Sequence, residues 1–302
     1  MSSLNIILII SEDPGGAEIL SSWCAQNLDY NFYFLLSGPA IPIYKNKIDN
    51  CKIVSTDKAQ ELIISKFFCQ VIITQSWRSK FGLNLIPLAK AKNINTVFYA
   101  DHWGNYGDFF NTTEALTTDF LCDEVWCGDS HAITNALDLG FPSNILKLVP
   151  NEKFNEVKKA LKIKKKKQGS PITLLYLTEP TSEHMIAKYN DPLFKGYNEF
   201  TILQRFFSLL PDYFPNIKKI IFRTHPNEKH DKYNDILSQS CISKKFEFST
   251  NLNLIDDILE SEFVVGCESM ALVYSIFANR KTYSILPSNF KLLLPYDEII
   301  RI

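Results

Sequence analysis

The sequence predicts an α/β protein made of two doubly wound, parallel-sheet units, one in each half of the chain. Three observations carry that expectation. Apolar runs of strand length recur along the chain, and they are continuous rather than alternating, as strands buried on both faces require. Stretches of helical length and period separate them. At 302 residues the chain is also about twice a typical domain of roughly 100–200 residues, so it has room for two such series.

In the first half the strands are expected at Asn5–Ser11, Asn31–Ser37, Val71–Gln75, Thr96–Tyr99 and Glu124–Gly128, with helices at Gly16–Leu28, Asp57–Phe68, Leu83–Ala91 and Ser130–Leu139. Residues 156–170 then change character. Lys158, Lys159, Lys162 and Lys164 to Lys167 lead into Gln168-Gly169-Ser170-Pro171, the composition of a basic linker or a solvated helix end. A second series follows, with strands at Ile172–Leu177, Lys219–Arg223, Phe246–Ser249, Phe263–Gly266 and Thr282–Ile285. Its helices are expected at Tyr197–Leu210, Lys232–Ser238, Leu254–Ser261 and Ser269–Phe277. The organisation read from this is a first Rossmann-like domain over residues 1–155, the linker, and a second over 171–302, the two facing a central cleft.

Composition narrows the function classes. Hydrophobic residues are 46% and charged residues 22%, the proportions of an ordinary folded protein. Lys plus Arg (32) nearly cancels Asp plus Glu (33), so no overall positive field draws nucleic acid, and none is expected as a partner. The longest aliphatic run, Ile6 to Ile10, is far short of the roughly 20 residues of a membrane span, and the start has no basic, cleavable leader, so a cytoplasmic location is expected. The lysines of Lys158–Lys167 could add a peripheral contact with the inner face of the membrane. Seven cysteines (Cys24, Cys51, Cys69, Cys122, Cys127, Cys241 and Cys267) lack any C-x-x-C pair and read as reduced, buried thiols. The five histidines have no metal-ligand spacing, and neither a metal nor a cofactor is called for.

Ligands of open parallel sheets collect at the carboxyl ends of strands, where helix N-termini present unpaired amides. Five loops there carry chemistry. In Ser11-Glu12-Asp13-Pro14-Gly15-Gly16-Ala17, Gly15 and Gly16 let backbone approach a ligand and are candidates for binding the donor phosphate, and Glu12 and Asp13 are candidates for a general base. In Tyr99-Ala100-Asp101-His102-Trp103-Gly104-Asn105-Tyr106, rings could stack on a sugar while Asp101 and His102 bind an acceptor or take its proton. In Ile221-Phe222-Arg223-Thr224-His225-Pro226-Asn227-Glu228, Arg223 and His225 lie on one side of an extended chain and could face a phosphate, and Pro226 fixes the turn. In Val264-Val265-Gly266-Cys267-Glu268-Ser269-Met270-Ala271-Leu272, Ser269 and the helix start suit an anion, and Glu268 could reach ribose hydroxyls. Thr178 and Glu179, after the first strand of the second half, offer a hydroxyl and a carboxylate to the same region. No G-x-G-x-x-G, P-loop, G-x-S-x-G or H-E-x-x-H motif is present, so the usual dehydrogenase, ATPase, hydrolase and zincin readings lose their anchors.

On these residues the chain resembles the GT-B class of glycosyltransferases and the related UDP-N-acetylglucosamine 2-epimerase group. A strand ending in Arg-x-His-Pro and a later one ending in Gly-x-x-Ser before a helix are similar to bacterial sialyltransferases and polysialyltransferases of surface-polysaccharide synthesis. The resemblance implies a metal-independent glycosyltransferase. His225 and Pro226 would bind the nucleotide of a sugar donor, Ser269 its phosphate, and the first domain a glycan or lipid-linked acceptor. Where those enzymes carry an acidic pair followed by Gly, this chain has Glu12-Asp13-Pro14-Gly15, with proline interposed. An epimerase or hydrolase, a phosphoribosyl-diphosphate-dependent transferase and a non-catalytic sugar-nucleotide-binding partner are the rival readings.

Overall fold

The computed structural model describes residues 5–74, 80–103, 120–163, 172–229, 231–239 and 245–302. The chain divides into one unit over Met1–Glu156 and a second over Val157–Ile302. The boundary falls inside a helix, so the first part of the expected linker is helical.

In the first unit, β1 (Ile6–Ser11), β2 (Asn31–Leu36), β3 (Gln70–Thr74), β4 (Asn95–Tyr99), β5 (Glu124–Cys127) and β6 (Leu146–Leu148) form one parallel sheet, ordered β2-β1-β3-β4-β5-β6. Its helices are α1 (Pro14–Gln26), α2 (Ala40–Lys47), α3 (Thr56–Ile64), α4 (Leu85–Ala91), α5 (Ser130–Asp138) and α6 (Glu152–Ile163), the last crossing into the second unit. Every residue of β1 is buried, as its unbroken Ile-Ile-Leu-Ile-Ile run requires of a strand covered on both faces. Ile7, Ile9, Leu20, Trp23, Phe34, Tyr44, Ile72 and Val97 make the core between this sheet and the helices on one face.

In the second unit, β7 (Thr173–Leu177), β8 (Lys219–Arg223), β9 (Phe246–Phe248), β10 (Phe263–Gly266), β11 (Lys281–Ser284) and β12 (Ile299–Arg301) form a parallel sheet ordered β12-β11-β10-β7-β8-β9. Counted from its own first strand, that is the 3-2-1-4-5-6 order of dinucleotide-binding folds. Its helices are α7 (Thr181–Tyr189), α8 (Glu199–Tyr213), α9 (Asn234–Ser238), α10 (Leu254–Glu260) and α11 (Met270–Phe277). Leu174, Tyr176, Leu203, Phe206, Ile220, Phe222, Tyr233 and Val265 fill its core.

The ten strands expected from sequence lie within one residue of the observed ones. β6, β12, α2, α6 and α7 are additions. α3 stops at Ile64 rather than Phe68 because Lys66 turns left-handed (φ 55°) and the amides of Lys66 and Phe67 bond back to Ile63 and Leu62. Of the lysine run, Lys158, Lys159 and Lys162 belong to α6, and Lys158 Nζ lies 4.4 Å from the centre of the Phe277 ring. Lys164 to Lys167 lie outside the described residues. Among the described residues no helix is long and apolar enough to cross a membrane. The six described cysteines are free thiols; Cys24, Cys122, Cys127 and Cys267 are buried as expected, but Cys51 is half-buried and Cys69 exposed, and Cys241 lies outside the described residues.

Candidate functional site

In a doubly wound sheet the crevice for a ligand opens where successive connections leave in opposite directions. In the second unit that point lies between β7 and β10, and the donor-side residues expected in this unit stand at the ends of the adjacent strands β10, β7 and β8, whereas Gly15 and Gly16 belong to the first unit.

At the end of β8 the chain turns through His225-Pro226-Asn227-Glu228, closed by the Glu228 N–H on the His225 carbonyl (2.9 Å) with Pro226 in the position that favours proline. Glu228, which the sequence reading did not single out, organises this turn. One of its carboxylate oxygens accepts the His225 N–H (3.0 Å) and the Thr178 hydroxyl; the other accepts Tyr233 Oη (2.5 Å) and Lys232 Nζ (2.9 Å). Thr178 also accepts the His225 N–H (2.9 Å) and so ties β7 to the turn. His225 Nδ1 accepts the Asn227 N–H (3.2 Å), which assigns the imidazole proton to Nε2. A cavity of about 200 Å3 lies here, lined by Arg223, Thr224, His225, Pro226, Ser249 and Asn251 among others.

Arg223 departs from the sequence expectation. Spacing placed its guanidinium beside His225 facing a phosphate, but it pairs with the fully buried Asp257 and donates to Ser249 Oγ (3.2 Å) and the carbonyls of Asn251 (2.9 Å) and Leu252 (3.3 Å). It anchors the strand end to α10 and the loop before it. The reason is electrostatic: Asp257 is removed from water and needs a cation within contact.

Glu179, two residues beyond β7, reaches across the switch point and accepts the backbone N–H groups of Cys267 (3.1 Å) and Glu268 (2.6 Å) with one oxygen. Burial pushes its carboxyl up to about 7, against the pull of those two amides. Glu268 accepts the Leu293 N–H (2.6 Å), and burial raises its carboxyl as well. Ser269 is the N-cap of α11, its hydroxyl accepting the Ala271 N–H (3.2 Å). Thr178, Glu179 and Glu268 are thus occupied in holding the loops together, and Ser269 sits where the expected anion would meet the helix.

Glu183, Glu199 and Glu228 come close enough to suggest a metal site. The ammonium of Lys232 lies among them, 2.7, 2.6 and 2.9 Å from their oxygens. Burial works against that charge, but the hydrogen bonds to the three carboxylates outweigh it and hold its pKa above the usual lysine range. Lys232 thus occupies the centre of a part-buried ion network whose Glu183 arm is exposed.

In the first unit the corresponding point lies between β1 and β3, where Ser11 pairs with Thr74. A Cβ on Gly16 would lie 2.3 Å from Thr74 Oγ1, so only glycine lets α1 start this close to the sheet. A Cβ on Gly15 would lie 3.2 Å from Asp101 Oδ2, which brings the loop of Glu12 and Asp13 beside that of Asp101 and His102. Asp13 is the N-cap residue of α1, but its side chain makes no capping bond. The hydroxyls of Ser11 and Thr74 are buried with no hydrogen-bond partner among the described residues. Burial pushes His102 down to about 4, so it is a neutral imidazole at neutral pH.

The ring platform expected over residues 99–106 takes another form. Tyr99 is buried and its hydroxyl donates to the carbonyls of Val149 and Pro150 (3.2 Å each). Trp103 is also buried; its indole N–H donates to Asp129 (2.8 Å) and its ring stacks on Phe154. Neither offers a face to a sugar, and Gly104, Asn105 and Tyr106 lie outside the described residues. A larger cavity, about 360 Å3, lies beside β2, lined by Leu28, Tyr30, Phe32, Lys47 and Lys52 among others. It includes none of the loops at the carboxyl ends of the strands, so size alone does not mark the site.

No protein-family model matches the chain. No curated protein is a significant match either. Solved structures do match it. The Anabaena protein HepE, in complex with UDP and glucose, is 8% identical over 93% of this chain and 80% of its own, with a TM-score of 0.60. The UDP-GlcNAc 2-epimerase of Neisseria meningitidis, bound to UDP-GlcNAc, is 11% identical over 96% and 84%, with a TM-score of 0.58. The lipopolysaccharide outer core galactosyltransferase WaaB is 11% identical over 94% and 82%, with a TM-score of 0.50. With two parallel six-stranded sheets, each flanked by helices, the chain has the two-Rossmann-unit fold of the GT-B class.

Proposed function

We propose that the chain is a glycosyltransferase that moves a sugar from a nucleotide-activated donor to a glycan or lipid-linked acceptor in bacterial surface-polysaccharide synthesis. The observation that carries this reading is the placement of the His225-Pro226 turn and the Ser269-capped helix at the ends of β8 and β10, the two strands that flank β7 at the topological switch point, with the 200 Å3 cavity beside His225. Nucleotide-binding proteins of the same fold, HepE with UDP among them, support it.

The second unit holds the donor. His225, through Nε2–H, and the N-terminus of α11 stabilise the charge on the leaving phosphate, while Arg223, Thr178 and Glu228 keep the turn in place. The first unit supplies the acceptor side. The acceptor oxygen bonds to the anomeric carbon as that carbon's bond to the phosphate oxygen breaks, and the hydroxyl proton passes to a carboxylate. Asp13, Glu12 and Asp101 are the candidates. His102, with so low a proton affinity, serves as a neutral hydrogen-bonding group.

Incubation of donor alone and donor with acceptor, followed by product analysis, tests the reading. A glycosyltransferase releases nucleotide and forms a new glycoside only with acceptor. Turnover should persist in EDTA, since Lys232 fills the acidic cluster found among the described residues. His225→Ala should lower kcat/KM by about 100-fold, the usual cost of losing one donor to a developing anion. The matches to 2-epimerase structures favour a second reading, in which the same site converts the sugar nucleotide without an acceptor. Altered product from donor alone would select it.

A further inference from the structure

We infer that Glu179 is a positioning residue whose carboxylate clamps the turn between β10 and α11, so that the segment bearing Glu268 and Ser269 tightens or loosens with the charge on that carboxylate. Its bearing on donor binding rests on the function proposed above; the clamp itself does not.

The geometry is local. One Glu179 oxygen gathers the N–H groups of Cys267 and Glu268, the two residues that precede the Ser269 N-cap. Those amides lie ahead of the helix and have no carbonyl of α11 to bond, so the carboxylate is what fixes the approach of the chain to the cap. The space left beside it, bordered by Tyr176, Thr178, Glu199 and Cys267, is only about 10 Å3, room for one water at most. The carboxylate is therefore poorly solvated and makes its two amide bonds at the switch point of the sheet.

The groups facing it come from each neighbouring element. Cys267 and Glu268 belong to the turn, Tyr176 to β7, Lys195 and Tyr197 to the segment before α8, and Glu199 to the first turn of α8. Glu268 repels the carboxylate, and Lys195 attracts it through space. Glu199 is paired with Lys232 (2.6 Å). Burial prevails, and the carboxyl titrates at about 7. Burial costs the charged form more than the two amides return, so the closed turn holds the proton more tightly than an opened, hydrated one and is tighter below neutral pH than above it.

The test is an NMR pH titration of the full chain without nucleotide, following the backbone amides of Cys267 and Glu268 in the wild type and in Glu179→Gln. In the wild type both amides should shift together through a midpoint near pH 7. Their hydrogen-exchange protection, corrected for intrinsic rate, should rise about tenfold from pH 8 to pH 6, because the proton bound by the closed turn stabilises it against opening. Glu179→Gln keeps the acceptor oxygen and removes the proton, so its amides should stay still across that range. Wild-type amides that do not titrate, or amides that titrate alike in both proteins, would overturn the clamp; the second result would assign the titration to Glu268. A UDP titration of both proteins separates the two claims. Amide titration as expected with no UDP binding supports the clamp and counts against the donor site.

Discussion

Arg223 and His225 differ in what their loss should do, although sequence spacing made them a pair. Arg223→Ala leaves Asp257 buried without its cation, a change that typically costs about 3–5 kcal/mol. Urea denaturation should show that loss directly. His225→Ala keeps the backbone bonds to Thr178 and Glu228 and loses the ring's exposed bond from the Asn227 N–H, so the same measurement should register about 1 kcal/mol while nucleotide affinity falls. If both variants lost stability equally, His225 would be structural. Gly16 gives a second contrast in the first unit. Gly16→Ala forces its methyl against Thr74 and should destabilise by about 1–3 kcal/mol, and adding Thr74→Ala should recover part of that loss in a double-mutant cycle.

Among the elements, α8 is the one whose start is best secured by its own residues. The Asn198 side chain accepts the amides of Phe200 and Thr201, and the Thr201 hydroxyl accepts the Asn198 N–H. Asn198→Ala should therefore cost about 1 kcal/mol, readable in the same denaturation experiment. The central strands were legible because each is a continuous apolar run, Ile6–Ile10 being the plainest. β6 and β12 were not, since three-residue edge strands with exposed positions carry too little periodicity. α2 was hidden by Pro42 in its first turn, a position where proline costs a helix little. Loops bearing chemistry were found from their place after strands, but their internal partners were not. Asp257 lies 34 residues from Arg223, and Glu179 is 88 and 89 residues from the amides it holds. Only the sheet order brings such pairs together.

At the scale of the whole molecule, two groups give stability an opposed dependence on pH. His102 has its folded pKa lowered to about 4, so the unfolded chain binds the proton more readily between about 6.5 and 4. Its contribution is present above that window and lost as pH falls through it, by up to about 3 kcal/mol. Glu179 has its folded pKa raised to about 7, so its contribution is present below about 4.5 and lost as pH rises towards 7, by a similar amount. Denaturation of His102→Gln should show less loss of stability on acidification than the wild type. Glu179→Gln should show less loss between mildly acidic and neutral pH.

Thermal shift of the full chain reads out whether the second unit holds a sugar nucleotide at the ends of β7, β8 and β10. The panel is UDP-, CMP-, CDP-, GDP- and TDP-sugars with phosphoribosyl diphosphate, measured in parallel for His225→Ala. A ligand at 100 times its Kd stabilises the state it binds by about 2.7 kcal/mol, which should raise Tm by several degrees. At least one sugar nucleotide should raise Tm in this way, and the rise should be lost in His225→Ala. No rise with any sugar nucleotide, or an equal rise in the variant, would contradict a sugar-nucleotide site there.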